Sequence, residues 1–239
     1  MKNFDALRVL AIGAHPDDVE IFCSGTLARF RQKDSTVIMA HVCQGDKSGY
    51  AKRNNENARI REKETNQAGT IIGSTVLSLK FRDSEILQSI ELRKAIVNLI
   101  RKVKPEIVLT HFPADYHSDH RVTGQMVTDA VYIASSKGFK TKSLFLPYIP
   151  VLYYFDTLTG IGFQPTEYVD ITNVIETKAA MIKCHQSQFA ALKKRGGLDL
   201  WEIVLDTAKH RGWQSGVKYA EAFQVCQMWP NFKTRRLLP

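Results

Sequence analysis

The sequence predicts an α/β protein built on a mostly parallel β-sheet with helices on both faces. Short apolar runs, such as residues 7–14 and 36–43, have the near-continuous hydrophobicity of parallel strands that are covered on both sides. Segments with helical spacing separate these runs, as in proteins that alternate strand and helix. Gly73 stands where a helix should stop, and Pro105 stands between a helix and a strand.

Strand and helix alternate through the first two-thirds of the chain. We predict strands at residues 7–14, 36–43, 75–81 and 106–110, and helices at residues 20–33, 55–72, 88–103 and 121–136. In the helix at 88–103, apolar residues recur at amphipathic spacing, as at Ile96, Leu99, Ile100 and Val103.

The rhythm changes after about residue 140, where Pro147, Pro150 and Pro165 interrupt the chain. We predict strands at 152–155 and 168–171 there, followed by one helix that starts at Thr172 or Asn173 and runs to Phe189. The remainder is mixed in pattern. Because the chain shows no repeat and no clean linker, we predict a single domain over 1–239. Its core spans about 1–140, and a C-terminal elaboration spans about 141–239.

Composition narrows the functional classes. The chain has 239 residues, 44% of them hydrophobic, and no apolar stretch of the ~20 residues that a membrane span needs. The start of the chain lacks the features of a signal peptide, so we expect a cytoplasmic protein. The net charge of +9 is scattered, which is typical of solvated surfaces, and no nucleic-acid motif is present. The basic balance also suits an anionic small substrate. The four cysteines form no CxxC pair, which argues against a disulfide framework.

Two clusters of histidine and aspartate each follow a predicted strand. The first comprises His15, Asp17 and Asp18, and the second comprises His117, Asp119 and His120. In open parallel sheets, ligands bind in the crevice beyond the carboxyl ends of the strands. Neutral imidazoles and carboxylates are ordinary ligands of a catalytic zinc ion, which keeps one position for water. Together the clusters predict a metal-dependent hydrolase.

The spacing also suggests a catalytic role for each of these residues. Asp17 and Asp18 can serve one as metal ligand and the other as the base that takes a proton from water. His117 can be the acid, with Asp119 orienting an imidazole. A simpler reading of each residue stays open, because Asp17, Asp18 or Asp119 can be a helix N-cap and His15 or His120 a hydrogen-bonded loop residue.

The same residues resemble the signature of the LmbE/PIG-L family of zinc-dependent N-acetylglucosaminyl deacetylases. The resemblance rests on Ala14-His15-Pro16-Asp17-Asp18-Val19-Glu20, on Arg61-Glu62-Lys63-Glu64 and on Tyr116-His117-Ser118-Asp119-His120-Arg121. The C-terminal third, with Ser187-Gln188-Phe189 and Tyr219-Ala220-Glu221-Ala222-Phe223, is similar to the bacterial branch that contains the bacillithiol-biosynthesis deacetylases. The family fold is a Rossmann-like α/β sheet, in agreement with the pattern of strands and helices.

The resemblance implies a role for each position. His15, Asp18 and His120 would bind Zn²⁺, although the same ligands suit Fe²⁺. Asp17 would be the general base, and His117, held by Asp119, the general acid or oxyanion-stabilising residue. Arg61 matches an arginine near the substrate, a role that its neighbours Arg53 and Arg59 can also fill. A homo-oligomer, trimer or hexamer, is implied by resemblance alone.

The substrate is left open by the sequence. An N-acetylglucosamine conjugate with malate is the choice of the bacillithiol branch, and a nucleotide-linked or lipid-linked sugar of surface polysaccharide synthesis is its rival. Two loops that depart from the family, at 45–55 and 190–200, are expected to border the crevice mouth. Alternatives of other classes are a non-enzymatic nucleotide-binding or regulatory domain, although no phosphate-binding glycine motif is present, and a thiol enzyme that uses Cys23 or Cys43.

Overall fold

The computed structural model describes residues 6–47, 53–197 and 199–228, which form one seven-stranded sheet with helices around it. The strands are β1 Arg8–Gly13, β2 Thr36–Cys43, β3 Thr75–Phe81, β4 Ile107–His111, β5 Val151–Phe155, β6 Glu167–Asp170 and β7 Ala220–Val225. The helices are α1 Asp18–Arg31, α2 Asn54–Ile71, α3 Ile90–Val103, α4 Ser118–Ile133, α5 Ile175–Lys183, α6 Gln186–Gly196 and α7 Leu200–Ser215. A short 3₁₀ turn at Thr172–Val174 precedes α5.

The predicted mostly parallel α/β sheet is confirmed. Its strand order is β3-β2-β1-β4-β5-β7-β6, and the five strands from β3 to β5 run parallel. Only β7 reverses direction in this sheet, pairing antiparallel with β5 on one side and β6 on the other. Every strand and helix predicted up to residue 136 is present, with ends that differ by at most three residues.

Alternate residues of each strand face two separate hydrophobic cores. Val9 and Ala11 of β1 pack in the core beneath α1 and α2, while Leu10 and Ile12 pack beneath α3 and α4. Helices α5 and α7 lie on the α1 side, since Met181 belongs to the first of these cores. Burial on both faces explains why the strands read as unbroken apolar runs rather than alternating ones.

One predicted element differs from the structure. The single helix expected from Thr172 or Asn173 to Phe189 is divided at Cys184 and His185 into α5 and α6. His185 leaves the helical region, with φ −84° and ψ 55°, and its side chain is fully buried. At this break, helical hydrogen bonds are replaced by contacts with residues that are distant in sequence. No local sequence pattern predicts such contacts.

The strand order reverses direction between β1 and β4, and both His/Asp clusters lie where these strands end. This is the topological switch point at which such sheets form a crevice. Two glycines permit the close approach there. A Cβ on Gly13 would lie 2.8 Å from the Cβ of Asp18, and one on Gly124 of α4 would lie 2.5 Å from the carbonyl oxygen of His111.

Beyond this geometry, two further expectations concern the chain as a whole. No helix in the described part of the chain is long and apolar enough to cross a membrane. Strands β5, β6 and β7, which belong to the predicted elaboration at 141–239, pair into the same sheet as the core strands. We keep the single-domain organisation over 1–239 as a proposal.

Candidate functional site

The loop after β1 brings His15 and Asp18 together. A carboxylate oxygen of Asp18, Oδ2, accepts the backbone N–H of His15 at 2.6 Å and lies 3.4 Å from His15 Nδ1. Asp17 has a φ of 139°, which is strained for a residue other than glycine. Asp17 occupies the N-cap position of α1 but makes no side-chain capping bond, so capping alone does not account for it.

Three donor atoms of this loop and of α4 converge in a set that fits a metal ion. His15, Asp18 and His120 each offer one atom, and these atoms lie within 4.8 Å of one another. Nε2 of His120 lies 3.3 Å from Asp18 Oδ1, beside the 3.4 Å between His15 and Asp18. A tetrahedral zinc ion with bonds of about 2.0–2.1 Å separates its ligand atoms by about 3.3 Å. Both distances lie close to that separation, with a different oxygen of Asp18 facing each imidazole.

Each histidine of the set is held by a carboxylate at its other ring nitrogen. His15 Nε2 lies 3.0 Å from Asp119 Oδ2, and His120 Nδ1 lies 3.3 Å from Asp115 Oδ2. Histidines that bind metal are commonly oriented in this way, because the outer hydrogen bond sets the ring's tautomer and direction. Sequence reasoning missed Asp115, whose only local signal is a carboxylate shortly before the second cluster.

The neighbouring carboxylates raise the pKa of both imidazoles, His15 and His120. Burial by itself lowers the pKa of His15, but hydrogen bonds with Asp119 and Asp18 outweigh burial and raise that pKa to about 10. Burial likewise opposes protonation of His120, yet the charge of Asp18 and the hydrogen bond to Asp115 raise its pKa to about 9. The site therefore stabilises a cation at the place where the donor atoms meet.

Asp17 is held by a different partner. Arg61 of α2 donates Nη2 to Asp17 Oδ1 at 2.7 Å and also to the carbonyl oxygen of Pro16. Burial raises the pKa of Asp17, and the charge of Arg61 opposes that rise. Arg61 is 3% exposed, whereas Arg59 is exposed, so Arg61 is the arginine at this wall. Its predicted contact with substrate stays a prediction.

His117 is the N-cap residue of α4. Its Nδ1 accepts the backbone N–H of Asp119 at 3.2 Å, which leaves the ring proton of the neutral imidazole on Nε2. Asp119 thus holds His117 through its backbone N–H, whereas its carboxylate contacts His15 and accepts the N–H of Ser84 at 2.8 Å. Burial and the nearby charge of His120 lower the pKa of His117.

Two further histidines lie near the donor set. The ring of His111 stacks on that of His120 at 3.9 Å between centroids, and its Nε2 lies 3.0 Å from Asp18 Oδ2, so it supports the ligands from behind. The other is His41 of β2, whose Nδ1 lies 2.6 Å from the carbonyl oxygen of Cys43, so a hydrogen bond within the strand accounts for it.

A buried polar layer beneath the site joins α1 and α2 to the break between α5 and α6. Nε2 of His185 lies 3.1 Å from Glu20 Oε1, which also accepts the hydroxyl of Thr65 at 3.0 Å. Glu64 accepts both the backbone N–H and the hydroxyl of Ser187, at 2.8 and 2.6 Å. These contacts fix α2, and with it Arg61, relative to the donor set.

The crevice over these residues offers about 360 Å³ of space to water-sized groups. Besides the site residues, its polar lining comes from Lys47, Asp83, Ser84, Tyr116 and Gln188, and its apolar lining comes from Ile21, Leu158, Ala191, Leu192 and Leu200. Residues of both departing segments thus border the crevice as expected, although the described part of 190–200 lies mainly in α6 rather than in a loop. Residues 48–52 and 198 lie outside the described residues.

The thiol alternative finds no support in the geometry. Cys23 and Cys43 are both fully buried, and burial raises the pKa of each thiol. Since the thiolate is the reactive form, a raised pKa makes a cysteine a poorer nucleophile.

The fold and the paired His/Asp loops define a class of protein. The model of the family described as GlcNAc-PI de-N-acetylase (PIG-L) matches residues 10–131, a span that contains both loops and Arg61. The chain belongs to this family, as its resemblance in sequence predicted.

The names of individual relatives describe two activities, deacetylation and hydration. The chain is 31% identical to diacetylchitobiose deacetylase of Thermococcus kodakarensis, over 92% of this chain and 83% of the relative. It is 26% identical to 4-oxalmesaconate hydratase of Pseudomonas putida, over 93% and 90%. The structure of N,N'-diacetylchitobiose deacetylase from Pyrococcus horikoshii with an inhibitor matches with a TM-score of 0.83 at 28% identity, covering 93% of this chain and 84% of that one. The bacillithiol branch stays a prediction.

Proposed function

We propose that the protein is a metal-dependent hydrolase that removes the N-acetyl group from an N-acetylglucosamine-type amino sugar or its conjugate and releases acetate. The observation that carries this proposal is a set of two imidazoles and a carboxylate with donor atoms within 4.8 Å of one another, beside a second carboxylate held by an arginine. Family membership and the relatives named as deacetylases support the same activity. Because one relative is named as a hydratase, the proposed deacetylase activity must be tested against hydration.

His15, Asp18 and His120 would hold the metal, with zinc as the first choice and Fe²⁺ as the alternative. When bound, the ion would polarise the acetamide carbonyl and lower the pKa of water. Asp119 and Asp115 would keep the two imidazoles turned toward it.

Asp17 acts as the general base. The hydrogen bond from Arg61 fixes the carboxylate of Asp17, whose backbone has a strained positive φ. The position of the carboxylate is therefore set before substrate arrives. Burial raises the pKa of Asp17, which makes the carboxylate a better proton acceptor than an exposed one. Asp17 takes a proton from the attacking water as the carbon–oxygen bond forms.

His117 stabilises the oxyanion. Because Nδ1 is engaged by the N–H of Asp119, Nε2–H is the ring's donor, and the lowered pKa keeps the ring neutral. A neutral imidazole is a good hydrogen-bond donor and a weak acid, so oxyanion stabilisation is favoured over general acid catalysis. Protonated Asp17 then delivers its proton to the leaving nitrogen as the carbon–nitrogen bond breaks.

The substrate, the cellular location and the assembly of the protein are part of the same proposal. A small, anionic or neutral amino-sugar conjugate is the expected partner, with the nucleotide-linked or lipid-linked sugar as rival. A cytoplasmic location and a trimeric or hexameric assembly stay predictions.

Free-amine release is the deciding test. Zinc-loaded protein, iron-loaded protein and chelator-treated protein are given a panel of N-acetylglucosamine, diacetylchitobiose, the malate conjugate and nucleotide-linked sugars, with 4-oxalmesaconate as the contrasting substrate. We expect metal-dependent amine release from at least one sugar and no hydration of the carbon–carbon double bond of 4-oxalmesaconate. Hydration without amine release would overturn the proposal in favour of a hydratase. Zinc binding without any turnover would favour a non-enzymatic role.

A further inference from the structure

Lys47, which follows β2, brings a cation to the wall of the crevice. Among the described residues that line the crevice, the lysine and arginine side chains are Lys47 and Arg61. Arg61 already donates to Asp17 and to the carbonyl oxygen of Pro16. Lys47 Nζ lies 2.6 Å from Glu85 Oε1, and the side chain of Lys47 is 32% exposed. Because an ammonium group carries three N–H donors, Lys47 can bind a ligand as well as Glu85.

Backbone hydrogen bonds place Lys47 near the proposed metal ligands. Asp83 Oδ2 accepts the backbone N–H of Lys47 at 3.1 Å. A carboxylate oxygen of Asp83 also lies within 4.8 Å of a ring nitrogen of His15. The next residue, Ser84, donates its backbone N–H to the carboxylate of Asp119, which contacts His15. The lysine side chain therefore starts from a fixed point close to the place where the acetamide would be attacked.

The carboxylates around Lys47 leave room for an anion at its ammonium group. The carboxylate of Asp83 is balanced by backbone donors, since it also accepts the N–H of Gly45 at 2.8 Å, and Asp17 is balanced by its arginine. The side chain of Glu85 is 49% exposed. An ion pair between exposed side chains is weak, because water and salt screen it. An anionic group of a substrate can therefore share or replace Glu85 at the Nζ atom.

We propose that Lys47 is a specificity-determining residue that binds an anionic group, carboxylate or phosphate, attached to C1 of the N-acetylated sugar. This inference rests on the proposed deacetylation and selects the anionic conjugates among its substrates. The reacting acetamide is carried by C2, so a substituent on C1 is attached one carbon away and stays close to the donor set. A charge-assisted hydrogen bond from an ammonium group is stronger than a neutral one, which favours the anionic conjugates.

The test compares sugars that differ in charge at C1, with zinc-loaded protein. One pair is the carboxymethyl and hydroxyethyl glycosides of N-acetylglucosamine, and the other is its 1-phosphate and its methyl glycoside. Wild-type protein should have the higher kcat/KM for the anionic member of at least one pair, mainly through a lower KM. In Lys47→Met this anionic-to-neutral ratio should fall about tenfold, the effect of one hydrogen bond to a charged group. The pair that responds identifies the anion as carboxylate or phosphate.

Two further variants separate a local contact from the overall charge of the protein. Lys80→Met on β3 removes the same charge from an exposed pair with Glu62 and should leave the ratio unchanged. Glu85→Gln removes the competing carboxylate and should raise the ratio a few-fold, a change that a loss of folding cannot produce. An equal fall of the ratio in Lys47→Met and Lys80→Met would assign the preference to net charge and overturn the proposed contact.

Calorimetry distinguishes failure of this inference from failure of the proposed function. The zinc-loaded Asp17→Asn protein should bind the carboxymethyl glycoside or the 1-phosphate more tightly than its neutral partner, and adding Lys47→Met should remove that preference. Turnover with a ratio that Lys47→Met leaves unchanged overturns the role of Lys47 and keeps the deacetylase. No turnover by the wild-type protein, with a binding preference that depends on Lys47, overturns the hydrolase and keeps the anion contact. Equal binding of charged and neutral sugars overturns the anion contact alone.

Discussion

The parallel part of the sheet and its antiparallel edge contribute different side chains to the crevice. The loops after β1 and β4, in the parallel half, supply imidazoles and carboxylates that hold one another at 3.0–3.4 Å, as His15 does with Asp119 and Asp18. The elements near the antiparallel edge, α6, α7 and the loop after β5, supply apolar side chains such as Leu158, Leu192 and Leu200. In the proposed reaction, the parallel half carries the chemistry and the antiparallel edge carries the surface that a substrate meets.

The difference lies in how tightly each region is constrained. A charged group in the parallel half has several fixed partners, because an unpaired buried charge is costly. The leucines of the other region have no directional partner, so they can change with less effect on the remainder of the fold. We therefore expect large losses of activity from one region and altered selectivity from the other.

The strongest test of this contrast is Asp17→Asn. The amide cannot take the proton from water, so kcat should fall by about 10²–10⁴-fold while zinc content is unchanged. Amine release and metal analysis of the purified protein measure the two effects. Asp34→Asn, at an exposed position, is the matched control and should retain full activity. Near-normal turnover in Asp17→Asn would remove Asp17 from the mechanism.

A large effect on stability is expected from Lys178→Met, which tests how the C-terminal region is attached. Lys178 Nζ binds Glu221 and the carbonyl oxygen of Ile21, and Glu221 accepts the N–H groups of Gly25 and Thr26 in α1. Removing the cation leaves a buried carboxylate without its partner, which should cost about 3–5 kcal/mol in the free energy of unfolding.

Urea unfolding measures this loss of stability. The double variant Lys178→Met with Glu221→Gln should recover part of it, because the unpaired charge is gone. Lys209→Met removes an exposed pair with Asp206 and should cost under about 1 kcal/mol. Equal costs for the buried and exposed pairs would contradict this account of the attachment.

A smaller effect is expected from Asp115→Asn, which tests the outer hydrogen bond of the parallel half. The amide still reaches His120 but no longer carries the charge that orients the imidazole. Zinc affinity should weaken by about 10–100-fold, measured by competition with a chelator. His120→Ala should lose the metal altogether, and unchanged zinc binding in that variant would refute its role as a ligand.

The smallest effect is expected from Leu192→Ala in the apolar wall. Truncation removes part of the surface that meets the substrate, so KM should rise a few-fold while kcat and zinc content stay unchanged. Initial rates across the sugar panel measure this split. A fall in kcat as large as that of Asp17→Asn would erase the contrast between the two regions.

Much of the fold was predictable because its signals are local. Apolar runs and helical spacing located every element up to residue 136. The break at Cys184 and His185 was not predictable, because it depends on Glu20 and Glu64 receiving His185 and Ser187 in the interior. Residues more than a hundred positions apart decide it.

The donor set was partly predictable for the same reason. His15, Asp18 and His120 follow strands whose carboxyl ends must share one edge, so their meeting follows from the fold class. The partners around them do not follow from the fold class. Neither the contact of the Asp119 carboxylate with His15 nor the contact of Asp115 with His120 has a local signal.

The sequence by itself determined the types of chemical group, their placement at strand ends and the order of strands and helices, because these depend on patterns over a few residues. Only the tertiary structure decided which carboxylate orients which imidazole, and that Arg61 holds Asp17. Those features depend on how helices from distant parts of the chain pack against one sheet. Small shifts in that packing change hydrogen-bond partners while the local pattern of the sequence stays the same.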